Sequence, residues 1–240
     1  MRPSQSDHLD VKLNRRATSP TSHLSAEQSN VEKRPLARAL TQPTHGSYDH
    51  YMVVSMNDAQ RPFQELSELP LPELLGTSEV LTEERRRCLV EHLPARAEGY
   101  AWKLIYSTSK HGFSLNTLYR EMAKYESPVL LIIQDTCDTV FGALTSCPIR
   151  MSEHFYGTGE TFVFTFNPEF LCFHWTGDNQ FFIKGNADSL IIGAGDGLFG
   201  LWLDGDLYRG RSQSCNTFAN TRLSSHEDFV VKALECWTFV

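Results

Sequence analysis

The chain has 240 residues, 41% hydrophobic and 11% aromatic, enough for one domain with a sizeable core and a tail, or for two small domains. Its formal charge is −7; seven Lys/Arg against five Asp/Glu in residues 1–50 leave 15 against 24 in residues 51–240, a balance of −9. An acidic body argues against a nucleic-acid binder, which needs a basic face to neutralise phosphates, and no apolar run approaches the ~18 residues that would cross a bilayer.

Residues 1–75 read as a polar tail. Ser, Thr, Gln, Pro and His dominate it, as in TSPTSHLSAEQSN, and such a segment cannot bury enough surface to offset its ordering entropy, so disorder is expected. Arg2, Lys12, Arg15 and Arg16 invite a mitochondrial presequence, but Asp7 and Asp10 interrupt the basic face. The YMVVSM patch at 51–56 is short and is read as a segment that docks on the domain. No apolar h-region opens the chain, so free thiols in a reducing compartment are expected for its six cysteines. The reading is a soluble intracellular protein, cytoplasmic first, with nucleus, mitochondrion and lysosomal surface as other addresses.

The folded domain is predicted over 78–240. Thr82 caps a helix whose first turn carries Glu83 and Glu84, whose buried side is Leu81, Cys88, Leu89, His92 and Leu93, and which Pro94 ends. A second helix starts from the Ser114 cap, with Leu115, Leu118, Tyr119 and Met122 on one stripe. Most of the remainder reads as strands: 100–107, 129–133, 139–145, 161–166, 171–175, 181–184, 190–192, 198–203 and 233–239. The unbroken run Val129–Ile133 suits a strand buried on both faces. Turn residues separate the strands: Thr136-Cys137-Asp138, Thr176-Gly177-Asp178-Asn179 and Gly193–Gly197. The expected fold is α+β, mainly β: an antiparallel sandwich flanked by two or more helices.

Chemistry is sparse. The Gly193–Gly197 run has G-x-G-x-G spacing and a strand after it, so it offers no helix N-terminus to a phosphate and reads as a hairpin turn. Glu160 has no second acid, base or ligand near it in sequence and is expected to cap backbone amides or pair with an arginine inside the fold. Asp204-Gly205-Asp206 lacks calcium-loop spacing and reads as a turn bonded to its own backbone. No C-x-x-C or H-x-x-x-H pair occurs, and His154, His174 and His226 are scattered, so no metal and no cofactor is expected. Cys215 is the best thiol candidate, because Arg209 and Arg211 could draw its pKa down toward a reactive thiolate; a buried structural thiol is the plainer reading. Ser212 and Ser214 lack a nucleophile elbow.

Motif pieces taken in order resemble the TLDc domain of the oxidation-resistance proteins. They are Ser114-Leu115-x-x-Leu118-Tyr119-Arg120, Ser127–Leu131, Phe141-Gly142-Ala143, Tyr156–Phe162, Trp175-Thr176-Gly177, Phe181-Phe182, Phe199–Leu207, Cys215-x-Thr217-Phe218 and Glu235-x-Trp237-x-Phe239. The resemblance covers 78–240 and is closest to the short single-domain members. It implies a β-sandwich without established catalytic residues, protection against oxidative damage, and binding to subunits of the vacuolar proton pump (V-ATPase). On that basis the expected function is a non-catalytic, monomeric interaction module, with Glu160, Asp204, Asp206 and Arg209 as polar partner contacts and Cys215 as a candidate redox residue. The competing expectation is a thiol-dependent peroxide scavenger using Cys215. A ligand-binding sandwich for a sugar or lipid rests only on fold analogy.

Overall fold

Eleven short strands, most of them antiparallel and joined by tight turns, organise the chain in the computed structural model, which describes residues 71–240. The expectations for the tail and for the YMVVSM patch lie outside the described residues. The strands are β1 (Leu74–Leu75), β2 (Trp102–Ser107), β3 (Val129–Asp135), β4 (Val140–Thr145), β5 (Phe162–Thr165), β6 (Leu171–Phe173), β7 (Ile183–Gly185), β8 (Ser189–Gly195), β9 (Leu198–Asp204), β10 (Arg209–Arg211) and β11 (Asp228–Phe239). Among the described residues the helices are α1 (Glu83–Val90), α2 (Thr108–His111) and α3 (Leu115–Met122).

One sheet runs β6-β5-β4-β3-β11-β2-β1, and the second runs β7-β8-β9-β10-β11. β11 belongs to both. Residues Asp228–Val230 pair with β10, whereas Ala233–Phe239 insert between β3 and β2, with a register shift between Val231 and Ala233. The mainly β sandwich expected from strand spacing is therefore present, built as two sheets that share one strand. Among the described strands every ladder is antiparallel except β1 with β2.

Two apolar layers follow from the period-2 alternation of the first sheet. Leu131, Ile133, Phe141, Ala143 and Val163 face the second sheet's Leu190, Ile192, Leu201, Leu203 and Phe229, with the α3 stripe Leu115, Leu118, Tyr119 and Met122 in the same cluster. On the opposite face Leu130, Ile132, Leu144, Phe162, Phe164, Trp237 and Phe239 pack beneath Leu89 and Leu93. Val129–Ile133 is thus buried on both faces, as its unbroken apolar run requires. Each such side chain contributes about 1.5–3 kcal/mol. Gly142 lets β3 and β4 close up, since a Cβ there would lie 2.0 Å from the Leu131 carbonyl oxygen.

The helix starts follow their caps: Thr82 accepts from the Arg85 amide and Ser114 from the Thr117 amide. α1 ends at Val90, four residues before Pro94, with Glu91 as its C-cap, so its last turn is closed by the backbone and proline only bars re-entry. Asp196 and Gly197 both have positive φ, a two-residue turn whose twist matches the β8–β9 hairpin, and this bears out the hairpin reading of Gly193–Gly197. Leu207 takes a left-handed conformation with its side chain fully buried, and β10 begins at Arg209.

Candidate functional site

The junction where β11 passes from one sheet to the other opens a cleft of about 640 Å³. The β3–β4 turn forms one wall, with Thr136 and Cys137; Trp202, Asp204, Arg209 and Gly210 form another; His226, Asp228, Phe229 and Val230 close it. Its geometry is rigidly specified. Asp135 is buried at the turn, where one carboxyl oxygen accepts the Cys137 and Thr139 amides at 2.9 Å and the other accepts the Ser224 hydroxyl at 2.7 Å. Asp204 accepts the Tyr208 and Arg209 amides at 2.8 and 3.1 Å, the backbone-bonded turn its spacing suggests. Arg211 grips Asp228 through two parallel bonds at 2.6 and 2.9 Å, which holds the Asp228 carboxyl below its ordinary pKa. Both groups are exposed, so the pair orients charge and adds little stability.

The four predicted contact residues do not converge. Asp204 and Arg209 line the cleft, and among the described residues Arg209 makes no ion pair. Asp206 is exposed on the β9–β10 turn. Glu160 lies apart from the cleft lining and is bound to Arg96 by contacts of 2.6 and 2.9 Å, while Arg96 also donates to the Ser146 carbonyl. That is the arginine partner the sequence reading anticipates, placed at a half-exposed site instead of inside the fold. Cys137 and His226 are cleft residues that sequence reasoning missed. Their signal is only a turn cysteine and an isolated histidine, brought to 4.0 Å by pairings some ninety residues apart.

With this geometry in place, the comparison with known families is decisive: residues 74–240 match the family model described as the TLDc domain. The chain belongs to the TLDc family. Among its relatives, Oxidation resistance protein 1 of Homo sapiens is 57% identical over 173 residues, covering 72% of this chain and 20% of that protein. The Xenopus tropicalis Oxidation resistance protein 1 is 48% identical over 218 residues, 90% of this chain and 24% of the relative. Nuclear receptor coactivator 7 of Homo sapiens is 46% identical over 205 residues, 83% of this chain and 21% of that protein. The chain therefore spans about a fifth to a quarter of the length of these relatives.

The TLDc motif residues are explained by close approach. A Cβ at Gly159 would fall 2.4 Å from the Trp175 ring, and Trp175 in turn stands edge-on against Phe182, so three motif pieces interlock. A Cβ at Gly193 would lie 2.5 Å from the Phe218 ring and 2.9 Å from the Cys215 sulfur. Thr217 accepts the Ala194 amide at 3.0 Å and reaches the Asn179 side-chain oxygen at 2.8 Å. Glycines at these motif positions are set by ring-to-backbone and ring-to-sulfur packing.

Cys215 sits within this packing. It is buried, its thiol lies 3.2 Å from the Asn220 side-chain oxygen, and burial pushes its pKa up against the opposing help of the Phe218 and Thr217 amides. The expectation that Arg209 and Arg211 draw that pKa down is corrected: Arg211 is engaged by Asp228, and Arg209 lines the cleft. All six cysteines are free thiols, and Cys137 is the exposed one. Brief alkylation of the native protein followed by peptide mass spectrometry should label Cys137 first and leave Cys215 and the fully buried Cys236 until last. Early labelling of Cys215 would show that its pocket opens readily.

The histidines divide. His154 is an exposed loop residue, and His226 belongs to the cleft. His174, expected to be isolated, instead meets His92 and Cys172. Among the described residues no helix is long and apolar enough to cross a membrane.

Proposed function

We propose that this chain acts as a non-catalytic interaction module that binds and regulates the V-ATPase and contributes to resistance against oxidative stress. The observation that carries this reading is the TLDc match over 74–240, which spans every strand and helix of the described fold. The names of two of the relatives given above support the oxidative-stress part. The cleft supports the binding part. It presents an arginine with no ion pair among the described residues, the Asp228 carboxylate that Arg211 clamps, and two aromatic side chains on a strand junction that cannot deform without disturbing both sheets. Charged groups on such a rim set association rate and register more than raw affinity.

The test uses the full chain immobilised in reducing buffer and purified V-ATPase. Wild-type protein is expected to retain the pump. Arg209→Glu and Asp206→Lys, both exposed and tolerable to the fold, are expected to weaken retention roughly tenfold, mainly through slower association. A wild-type chain that retains no pump subunit overturns the reading. Undiminished binding by both reversed variants moves the contact away from the β9–β10 turn.

A further inference from the structure

Away from the cleft, the outer face of the first sheet brings three ligand-type side chains into one cluster. His92 lies in the turn just after α1, its amide bonded to the Leu89 carbonyl at 3.1 Å, and Cys172 and His174 stand two residues apart on the edge strand β6 and just beyond its end. Spacing of two puts both on one face of an extended chain. Their ligand atoms lie within 4.8 Å of one another. His92 Nδ1 is 3.1 Å from His174 Nε2, and that same nitrogen is 3.5 Å from Cys172 Sγ.

We propose that His92, Cys172 and His174 form a Zn²⁺ site that ties the end of α1 to the edge of the sheet. With Zn–N near 2.0–2.1 Å and Zn–S near 2.3 Å, tetrahedral ligation separates two nitrogens by about 3.3 Å and a nitrogen from sulfur by about 3.6 Å. The observed 3.1 and 3.5 Å already lie within a few tenths of those values. Hydrogen bonding alone serves the cluster poorly. An imidazole nitrogen offers one in-plane lone pair or one proton, yet His174 Nε2 faces two partners at once. A cation accepts a lone pair from all three.

The donor set selects the metal class. Two imidazoles and a thiolate suit Zn²⁺, whereas Mg²⁺ and Ca²⁺ require oxygen ligands. Three protein ligands leave a fourth position for water or another donor, and His174, which is exposed, marks the side from which an ion would enter. Phe162 and Phe170 wall the inner side, their rings 5.3–6.3 Å from the two imidazoles. Ligation requires the Cys172 thiolate, so an arriving ion displaces the thiol proton, which leaves to solvent.

The experiment titrates metal-stripped full-length protein with Co²⁺ in reducing buffer and follows its absorption. One equivalent should produce a sulfur-to-cobalt charge-transfer band that Zn²⁺ abolishes by displacement. Cys172→Ser should remove the band, His92→Gln and His174→Gln should each weaken Zn²⁺ binding by at least about tenfold, and Cys137→Ser should leave both unchanged. His174 is exposed, so its variant tests the site even if Cys172→Ser folds poorly. Absence of a charge-transfer band in the wild-type protein overturns the proposal, as does a band that survives Cys172→Ser or Zn²⁺ affinity unaffected by His174→Gln.

Discussion

A chain ending at Cys236 is expected to lose its cooperative fold. Removing residues 237–240 takes away Trp237 and Phe239, both essentially buried, and two ladders together, because this stretch pairs with β2 on one side and β3 on the other. It also removes the reciprocal backbone bonds between Ala101 and Val240. Truncating a buried Trp or Phe to alanine costs about 3–5 kcal/mol each, against a total stability of about 5–15 kcal/mol for a typical domain. Near-ultraviolet circular dichroism and a thermal scan would decide it. A shortened chain with a sharp transition within a few degrees of wild type would mean that β3 and β2 can pair without the end of β11.

The second large effect is expected at Glu235, which is 2% exposed among apolar strands. One carboxyl oxygen accepts the Glu79 amide at 2.6 Å and the Val80 amide at 3.3 Å; the other accepts the Ser78 hydroxyl at 2.6 Å and the Trp237 indole N–H at 3.1 Å. The side chain thus pins the segment that leads into α1 against the central strand. Glu235→Ala strands several donors that the carboxylate satisfies and should cost about 3–5 kcal/mol, a fall in melting temperature of roughly 10 °C or more. Glu235→Gln should cost less, since it keeps one acceptor oxygen but turns a donor toward Trp237 or Ser78. Hydrogen exchange should quicken first at Glu79 and Val80. Equal melting temperatures for Ala and wild type would show that the segment is held by Val80 and Leu81 packing alone.

Which parts of this fold are readable from sequence depends on whether the cause is local. Capping by Thr82 and Ser114 needs only the next three residues, and the stripe Leu115, Leu118, Tyr119, Met122 is a property of one helix, so both helix starts follow from composition. The hairpin at Asp196-Gly197 is equally local. β10 is different. Arg209-Gly210-Arg211 has no apolar signature, and it is a strand because β9 and β11 present open ladders on either side. The polar start of β11, Asp228, is paired for the same reason. β1 lies upstream of Ser78 and exists through its pairing with Trp102 and Lys103. α2, four residues long, hangs on the Ser107 cap and carries no periodic stripe.

The sites divide in the same way. The arginine partner of Glu160 and the backbone-bonded turn of Asp204 follow from residue type and spacing. The cleft and the His92–Cys172–His174 cluster do not, because each joins residues from distant segments with no spacing to announce them.

The strand shared by the two sheets also has a consequence for synthesis. β11 is the last of the eleven strands to be made, yet it sits between β3 and β2 and carries β10 on its leading half. Until it arrives, β2 and β3 have no neighbour on the side they will share, and the second sheet is not joined to the first. A growing polypeptide therefore holds many finished apolar strands that cannot yet be completed, with pairings that span more than a hundred residues. Such a nascent chain exposes apolar surface and unpaired strand edges, and a ribosome stalled before residue 228 would display an aggregation-prone half-structure for as long as the stall lasts.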